Sequence, residues 1–289
     1  MTIVKILAPL TGGARDHIVL ASAFAAAKSF NAHVATLFVR PDATEAVPFY
    51  GESVSAAVMQ EIADATKSAS DEAIKIARAS LLAAVKEAGA TIQDVPQIMD
   101  APTASFEEVT GNFADQVTLA ARLSDLVVFG ALKEGDRPGL TEAFEATLLE
   151  TGRPVLLSAH AAPTTFCKKK ISVAWNDSVA AAHAVTASLP FLKCSEAVEI
   201  ISVTRGKDEP IGSSSVCAYL KLHGVLATER KVDGGARPIA DVLLEAASHG
   251  GASMLVAGGY GHNRLREMFF SGVTRQVVSH AEIPVFLVH

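Results

Sequence analysis

The two halves of the sequence repeat one pattern of strand, glycine and proline, and this repeat limits the folds open to the chain. Residues 126–130 read L-V-V-F-G, and residues 254–258 read M-L-V-A-G. Residues 153–157 read R-P-V-L-L, and residues 283–287 read I-P-V-F-L. In each half a buried strand ends in glycine, a helical stretch follows, and a proline opens another strand. We therefore predict that one structural unit occurs twice.

Predicted strands and helices alternate along both halves. In the first half, apolar runs typical of strands lie at residues 4–9, 32–39, 91–99, 126–129 and 154–157, and the second half repeats this order from residue 170. Such alternation is typical of a parallel sheet covered by helices on both faces. We predict an α/β fold of two tandem Rossmann-like domains, each a five-stranded parallel sheet. Their predicted bounds are residues 1–159 and 168–289, joined by a linker rich in Ala, Pro and Thr.

Composition narrows the class of protein. The chain has 289 residues, 49% of them hydrophobic and 19% charged, which suits two buried cores. No apolar run approaches the roughly 18 residues of a membrane span, and we expect a cytoplasmic protein without a leader. The net charge of −6 argues against nucleic acid as a partner. The three cysteines form no C-x-x-C pair, so we expect reduced thiols.

A loop of glycines and hydroxyls follows the repeated strand of the second half. Gly258 and Gly261 bring no Cβ near a ligand, and Ser271, Gly272 and Thr274 lie where a helix turn offers N–H groups to an anion. The pattern indicates a phosphate cradle. A turn that needs glycine only for its geometry explains the first two glycines as well.

The other strand ends of the second half carry polar groups. Residues 176–178 read N-D-S, so their amide, carboxylate and hydroxyl either bond a ribose or cap the helix that follows. The backbone of Val203, at the next strand end, offers hydrogen bonds to a planar base. Because ligands of open parallel sheets bind at the carboxyl ends of strands, these residues form the candidate site.

This second half resembles the universal stress proteins, whose nucleotide-binding members carry G-x2-G-x9-G-[S/T] after the fourth strand. Here the spacing is Gly258-x2-Gly261-x9-Ser271-Gly272, with the last pair in reversed order. The resemblance implies a tandem member of the family that binds ATP, AMP or another adenine nucleotide, with or without Mg²⁺. The implied contacts are Ala174, Asn176, Val203, Gly258, Gly261, Ser271, Gly272 and Val273. Asn176 stands where many members have aspartate against the ribose.

Three further residues concern this candidate site and the equivalent position in the first half. His262 follows the second glycine and, when protonated, could donate to a phosphate. In the first half Lys133 replaces that glycine, and Glu142 falls opposite the Ser-Gly pair. A carboxylate repels phosphate, so we expect the first half to hold a degenerate, empty site.

Three functions remain open from the sequence. The first is a stress-response module that binds an adenine nucleotide in the second domain. The second is a nucleotide-free scaffold that protects partner proteins, and the third is a slow ATPase, although no G-x-S-x-G, P-loop or H-E-x-x-H motif is present. The resemblance also implies that the last strands of the two domains pair antiparallel within one chain. A further homodimer and unidentified protein partners remain open.

Overall fold

A computed structural model describes residues 2–42, 56–95, 97, 99–133, 135–159, 164–204, 213–259 and 282–289. The first half contains β1 (Lys5–Leu10), α1 (Asp16–Phe30), β2 (His33–Arg40), α2 (Ala56–Ala88), β3 (Thr91–Ile92), β4 (Thr103–Thr110), α3 (Phe113–Ala121), β5 (Leu126–Phe129), α4 (Leu140–Glu150) and β6 (Val155–Leu157). The second half contains β7 (Lys170–Ala174), α5 (Val179–Cys194), β8 (Ala197–Thr204), α6 (Ser214–Leu222), β9 (Ala227–Asp233), α7 (Ile239–His249), β10 (Met254–Gly258) and β11 (Val285–Val288).

All described strands join one sheet of eleven strands in the order β3-β4-β2-β1-β5-β6-β11-β10-β7-β8-β9. Every pairing is parallel except that of β6 with β11, where Leu156 lies opposite Phe286. This antiparallel junction confirms the predicted pairing of the two terminal strands within one chain. It covers two sheet edges that would otherwise be open to another chain.

Each half has the same strand order about this junction, β4-β2-β1-β5-β6 in the first and β9-β8-β7-β10-β11 in the second. The predicted α/β fold with a largely parallel sheet is confirmed. In each half the strand order reverses beside the first strand, between β1 and β5 and between β7 and β10. Ligand crevices of open α/β sheets lie at such points, at the carboxyl ends of the strands.

The hydrophobic core continues from one half to the other. A cluster on one face of the sheet includes Phe38 and Leu156 from the first half and Phe191 and Phe286 from the second. The ring of Phe191 makes edge contacts with Phe286 at 5.7 Å and with Phe30, at the end of α1, at 4.9 Å. Burial of this aromatic surface fixes the two halves against each other.

One strand differs from the sequence interpretation. We expected the third strand at residues 91–99, but β3 ends at Ile92, and β4 is the strand that pairs with β2 along its whole length. The chain leaves the sheet after Gln93, whose N–H donates to the carbonyl of Ala104. The sequence of β4 was missed because its second half carries Glu107 and Glu108, which are exposed.

The cysteines also differ from expectation. Cys167 and Cys194 form a disulfide, with their Cα atoms 4.8 Å apart and their positions 27 residues apart in sequence. Cys217 is the free cysteine. The expectation of three reduced thiols was wrong in this structure because the fold brings the linker to the end of α5, a contact that cysteine spacing does not reveal.

Candidate functional site

Four of the predicted contacts lie at one edge of the sheet. Ala174 ends β7, Gly258 ends β10, and Val203 lies near the end of β8, and these three strands are neighbours. The register pairs Val256 with Val173, which sets Gly258 beside the residues that follow β7. Asn176 comes two residues after β7. The structure therefore brings Ala174, Asn176, Val203 and Gly258 together at the point where the strand order reverses.

Gly258 is required by packing against α5. A Cβ at this position would lie 2.4 Å from the carbonyl carbon of Ala180 and 2.5 Å from the backbone nitrogen of Ala181. Both atoms belong to the first turn of α5, so no flexible side chain can move aside. Glycine thus allows the end of β10 to approach the start of α5. This packing supports the alternative given in the sequence analysis, in which the turn needs glycine for its geometry.

Asn176 organises the turn between β7 and α5. Its Oδ1 accepts hydrogen bonds from the hydroxyl of Ser178 at 2.7 Å and from the Ser178 N–H at 3.3 Å. Ser178 is the N-cap of α5, because its hydroxyl accepts from the N–H of Ala181 at 3.1 Å. Asp177 between them has a left-handed backbone with φ of 59°. The exposed Asn176 amide nitrogen has no partner among the described residues, so it is available to a ligand.

The backbone of Val203 is directed toward the same space. Along a strand, the N–H and C=O groups of alternate residues point to opposite neighbours. The carbonyl of Ile201 accepts from Trp175 on the β7 side, and the carbonyl of Thr204 accepts from Gly234 on the β9 side. Val203 therefore turns its polar groups to the β7 side, beyond the point where β7 ends. A planar base could use both of them there.

Six of the predicted contacts lie outside the described residues. They are Gly261, His262, Ser271, Gly272, Val273 and Thr274.

The first half has a cavity of about 310 Å³ at the equivalent strand ends, between β1 and β5. Its lining includes Thr11 and Gly12 after β1, Gly130 after β5, and charged side chains from the start of α1 and from the loop before α4. These charged residues are Arg15, Asp16, Asp136 and Arg137. Glu142, which the sequence placed against the phosphates, is exposed and does not line this cavity.

In the first half, Arg137 occupies the position that no described side chain fills at Val203 in the second half. The matching registers of β1 with β2 and of β7 with β8 make Val39 the counterpart of Val203. The Arg137 guanidinium donates to the Val39 carbonyl and lies over the ring of Phe113, with Cζ 4.5 Å from the ring centroid. The planar guanidinium of Arg137 is thus hydrogen-bonded to the backbone carbonyl that a bound base would otherwise use.

Ion pairs and hydrogen bonds fix the other charged side chains that line this cavity. Arg15 forms a salt bridge with Asp136 and donates to the carbonyl of Ala131 at 2.5 Å. The carboxylate of Asp16, only 2% exposed, accepts from the N–H and hydroxyl of Thr11 and from the N–H of Gly12. Burial raises the pKa of Asp16, against the effect of these hydrogen bonds.

Desolvation also lowers the pKa of both cavity arginines, Arg15 and Arg137. Sequence reasoning missed Arg15, Asp16 and Arg137 as cavity residues. The available signal was the T-G-G-A-R-D run directly after the first predicted strand.

Among the described residues, no group of three or more His, Cys, Asp or Glu side chains is placed to hold a metal ion. None of the described helices combines the length and apolarity that crossing a membrane requires.

Comparison with known proteins relates part of the sequence, and the whole fold, to one family. Residues 218–289 match the model of the Universal stress protein family. No curated protein is similar to the chain at a significant level. The fold is similar to that of a universal stress protein from Archaeoglobus fulgidus, with a TM-score of 0.62 and 15% identity over 98% of this chain and 95% of that chain.

Two single-unit structures are similar over less of the chain. A protein of the universal stress protein family from Burkholderia pseudomallei is 23% identical over 44% of this chain and 98% of its own, with a TM-score of 0.31. A universal stress protein in complex with cAMP is 20% identical over 42% of this chain and 97% of its own, with a TM-score of 0.30. The resemblance predicted from the sequence is confirmed, because residues 218–289 match the universal stress protein family and the whole chain has the fold of one of its members.

Proposed function

We propose that the chain is a stress-response module that binds one adenine nucleotide, ATP, in its second half. The two structural units are residues 1–159 and residues 168–289, and the nucleotide binds to the second unit. The observation that carries it is the direction of the Val203 backbone. Its N–H and C=O groups face the space beyond β7, where a base can accept and donate hydrogen bonds.

The ribose would lie against the turn after β7. Asn176 already uses its Oδ1 to hold Ser178, and its amide nitrogen remains to donate to a ribose hydroxyl. The phosphates would lie over the segment that begins at Gly258 and Gly259 and continues through Gly261 to Thr274. The backbone N–H groups of a glycine-rich turn can bind anions without a lysine or arginine.

The first half would bind no nucleotide, because its own side chains meet the groups that a nucleotide needs. Arg137 holds the Val39 carbonyl, and Arg15 is held by Asp136. Displacing Arg137 would break a hydrogen bond and an aromatic contact, and it would leave the Val39 carbonyl to find a new donor. We therefore expect one nucleotide per chain, bound in the second half.

Calorimetric titration with ATP and Mg²⁺ tests the assignment. Asn176→Asp keeps an acceptor oxygen for Ser178 and adds a charge that attracts ribose hydroxyls, so it should tighten binding severalfold. Gly261→Arg places a long side chain in the phosphate segment and should abolish the binding heat. As a matched control, Gly135→Arg adds the same side chain beside the first-half cavity, where a Cβ would meet nothing within 4 Å and the φ of 82° costs any side chain about 1 kcal/mol of stability. It should leave the heat unchanged.

Loss of binding in Gly135→Arg, with binding retained in Gly261→Arg, would move the nucleotide to the first half. No heat in the wild type, with or without Mg²⁺, would favour the nucleotide-free scaffold.

A further inference from the structure

The linker between the halves is anchored to the second half at its end. Phe166 is fully buried, and its ring makes an edge contact with Phe191 of α5 at 5.7 Å. The N–H of Lys168 donates to the carbonyl of Cys194 at 2.7 Å. These contacts hold Cys167, between the two, against the last residue of α5.

The first half also contacts this stretch. The hydroxyl of Ser29, near the end of α1, lies 3.1 Å from the hydroxyl of Thr165. The N–H of Phe166 also reaches the Ser29 hydroxyl, at 3.4 Å. The Cys167–Cys194 pair therefore lies where α1, the linker and α5 meet, and a bond between the two sulfurs ties the linker to the second half.

We propose that Cys167 and Cys194 form a reversible thiol–disulfide site that reacts with small-molecule disulfides of the glutathione class. Both side chains are half-buried, so a small disulfide can reach them. Their Cα separation of 4.8 Å lies within the range that a disulfide spans without movement of the backbone. Cys217, the remaining cysteine, is free and lies in α6.

The residues next to the two cysteines indicate which of them attacks the small disulfide first. Lys168 and Lys169 follow Cys167 directly and are exposed, and positive charge next to a cysteine favours its thiolate form. Cys194 has one adjacent lysine, Lys193, and is the last residue of α5, where the negative end of the helix dipole disfavours a thiolate. Cys167 is therefore the attacking residue and Cys194 the resolving one.

The reaction balances with one small disulfide. The Cys167 thiolate attacks one sulfur of the oxidised glutathione, breaks its S–S bond and releases one glutathione thiolate. The Cys194 thiolate then attacks Sγ of Cys167 in the mixed disulfide and releases the second glutathione thiolate. Two electrons pass from the protein to the small disulfide, and the two cysteine protons end on the two glutathione molecules. Reduced glutathione drives the same steps in reverse.

The test equilibrates the full chain in buffers of increasing oxidised-to-reduced glutathione ratio, quenches with acid and alkylates the free thiols for mass spectrometry. Fully reduced protein should carry three alkyl groups and the oxidised form one, on Cys217. Cys217→Ser should show the same transition. Cys167→Ser and Cys194→Ser should stop at a mixed disulfide with glutathione.

A parallel series in concentrated urea separates a site built by the fold from chance pairing. The folded protein should close the bond at a glutathione ratio about tenfold lower or more, because the fold holds the two sulfurs together. Equal ratios in the two series would overturn the proposal. Three alkyl groups at every ratio would also overturn it, as would a bond that reduced glutathione alone cannot open in the folded chain.

Discussion

Gly258 offers the sharpest test of how the site is built. In Gly258→Ala the new Cβ would lie 2.4 Å from the backbone of Ala180, whereas ordinary contact begins near 3.4 Å. Either the end of β10 or the first turn of α5 must therefore move by about 1 Å. Neither element moves freely, because α5 also packs on β11 and its far end is tied to the linker through Cys194. Overpacking of this kind costs about 2–3 kcal/mol of unfolding free energy.

The neighbouring Gly259→Ala is the matched control. Its Cβ would lie 3.3 Å from Cδ2 at the end of the Leu148 side chain and 3.4 Å from the Val288 carbonyl oxygen, so shifts of a few tenths of an ångström suffice and we expect a cost below about 1 kcal/mol. Both changes remove the same freedom from the unfolded chain, and this effect cancels in the comparison. Urea denaturation followed by circular dichroism measures both. If the two variants differ by less than about 0.5 kcal/mol, the packing argument for Gly258 is refuted.

Three further perturbations probe the core and the charged groups. Phe191→Ala removes a fully buried ring at the junction of the halves and should cost about 3–5 kcal/mol in urea denaturation, whereas Leu123→Ala, 80% exposed, should cost little. Arg137→Met keeps an apolar stem over the neighbouring rings but leaves the Val39 carbonyl without its donor, so thermal and urea unfolding should show a loss of about 1–2 kcal/mol. Burial, with a smaller effect of a nearby lysine, lowers the pKa of His33 below its usual 6.5. The unfolded chain then binds the proton more tightly, so stability is full above pH 6.5 and falls below it by at most about 1.4 kcal/mol per pH unit. A urea series between pH 5 and 7 should lose this slope in His33→Gln, and an unchanged slope would contradict the assignment.

Much of the fold follows from the sequence because its signals are local. Buried parallel strands appear as short apolar runs, and the repeat of 126–130 at 254–258 fixes the relation of the halves. The antiparallel junction of β6 with β11 came from family resemblance rather than from the pattern, and the structure confirms it. Strand β4, whose outer side pairs only with the two residues of β3, escaped because its second half carries Glu107 and Glu108, and charged residues are common near sheet edges.

The candidate site is less predictable because its geometry depends on contacts between distant residues. The sequence pointed to Asn176 and Gly258, but their roles in a turn and in helix packing depend on Ser178 and Ala180. Arg137 lies 98 residues from the carbonyl it binds, and no local pattern reveals such a contact. The Cys167–Cys194 bond belongs to the same class of long-range contact.

Counting the nucleotide carried by the purified chain shows whether the second half holds a nucleotide and the first half does not. Protein prepared without added nucleotide is denatured, and the adenine compounds released are identified and counted by mass spectrometry. We expect about one per chain in the wild type, lost in Gly261→Arg and kept in Gly135→Arg. Two per chain would contradict the assignment of Arg137 and the first-half cavity, and none, with no heat on titration, would contradict the nucleotide site itself.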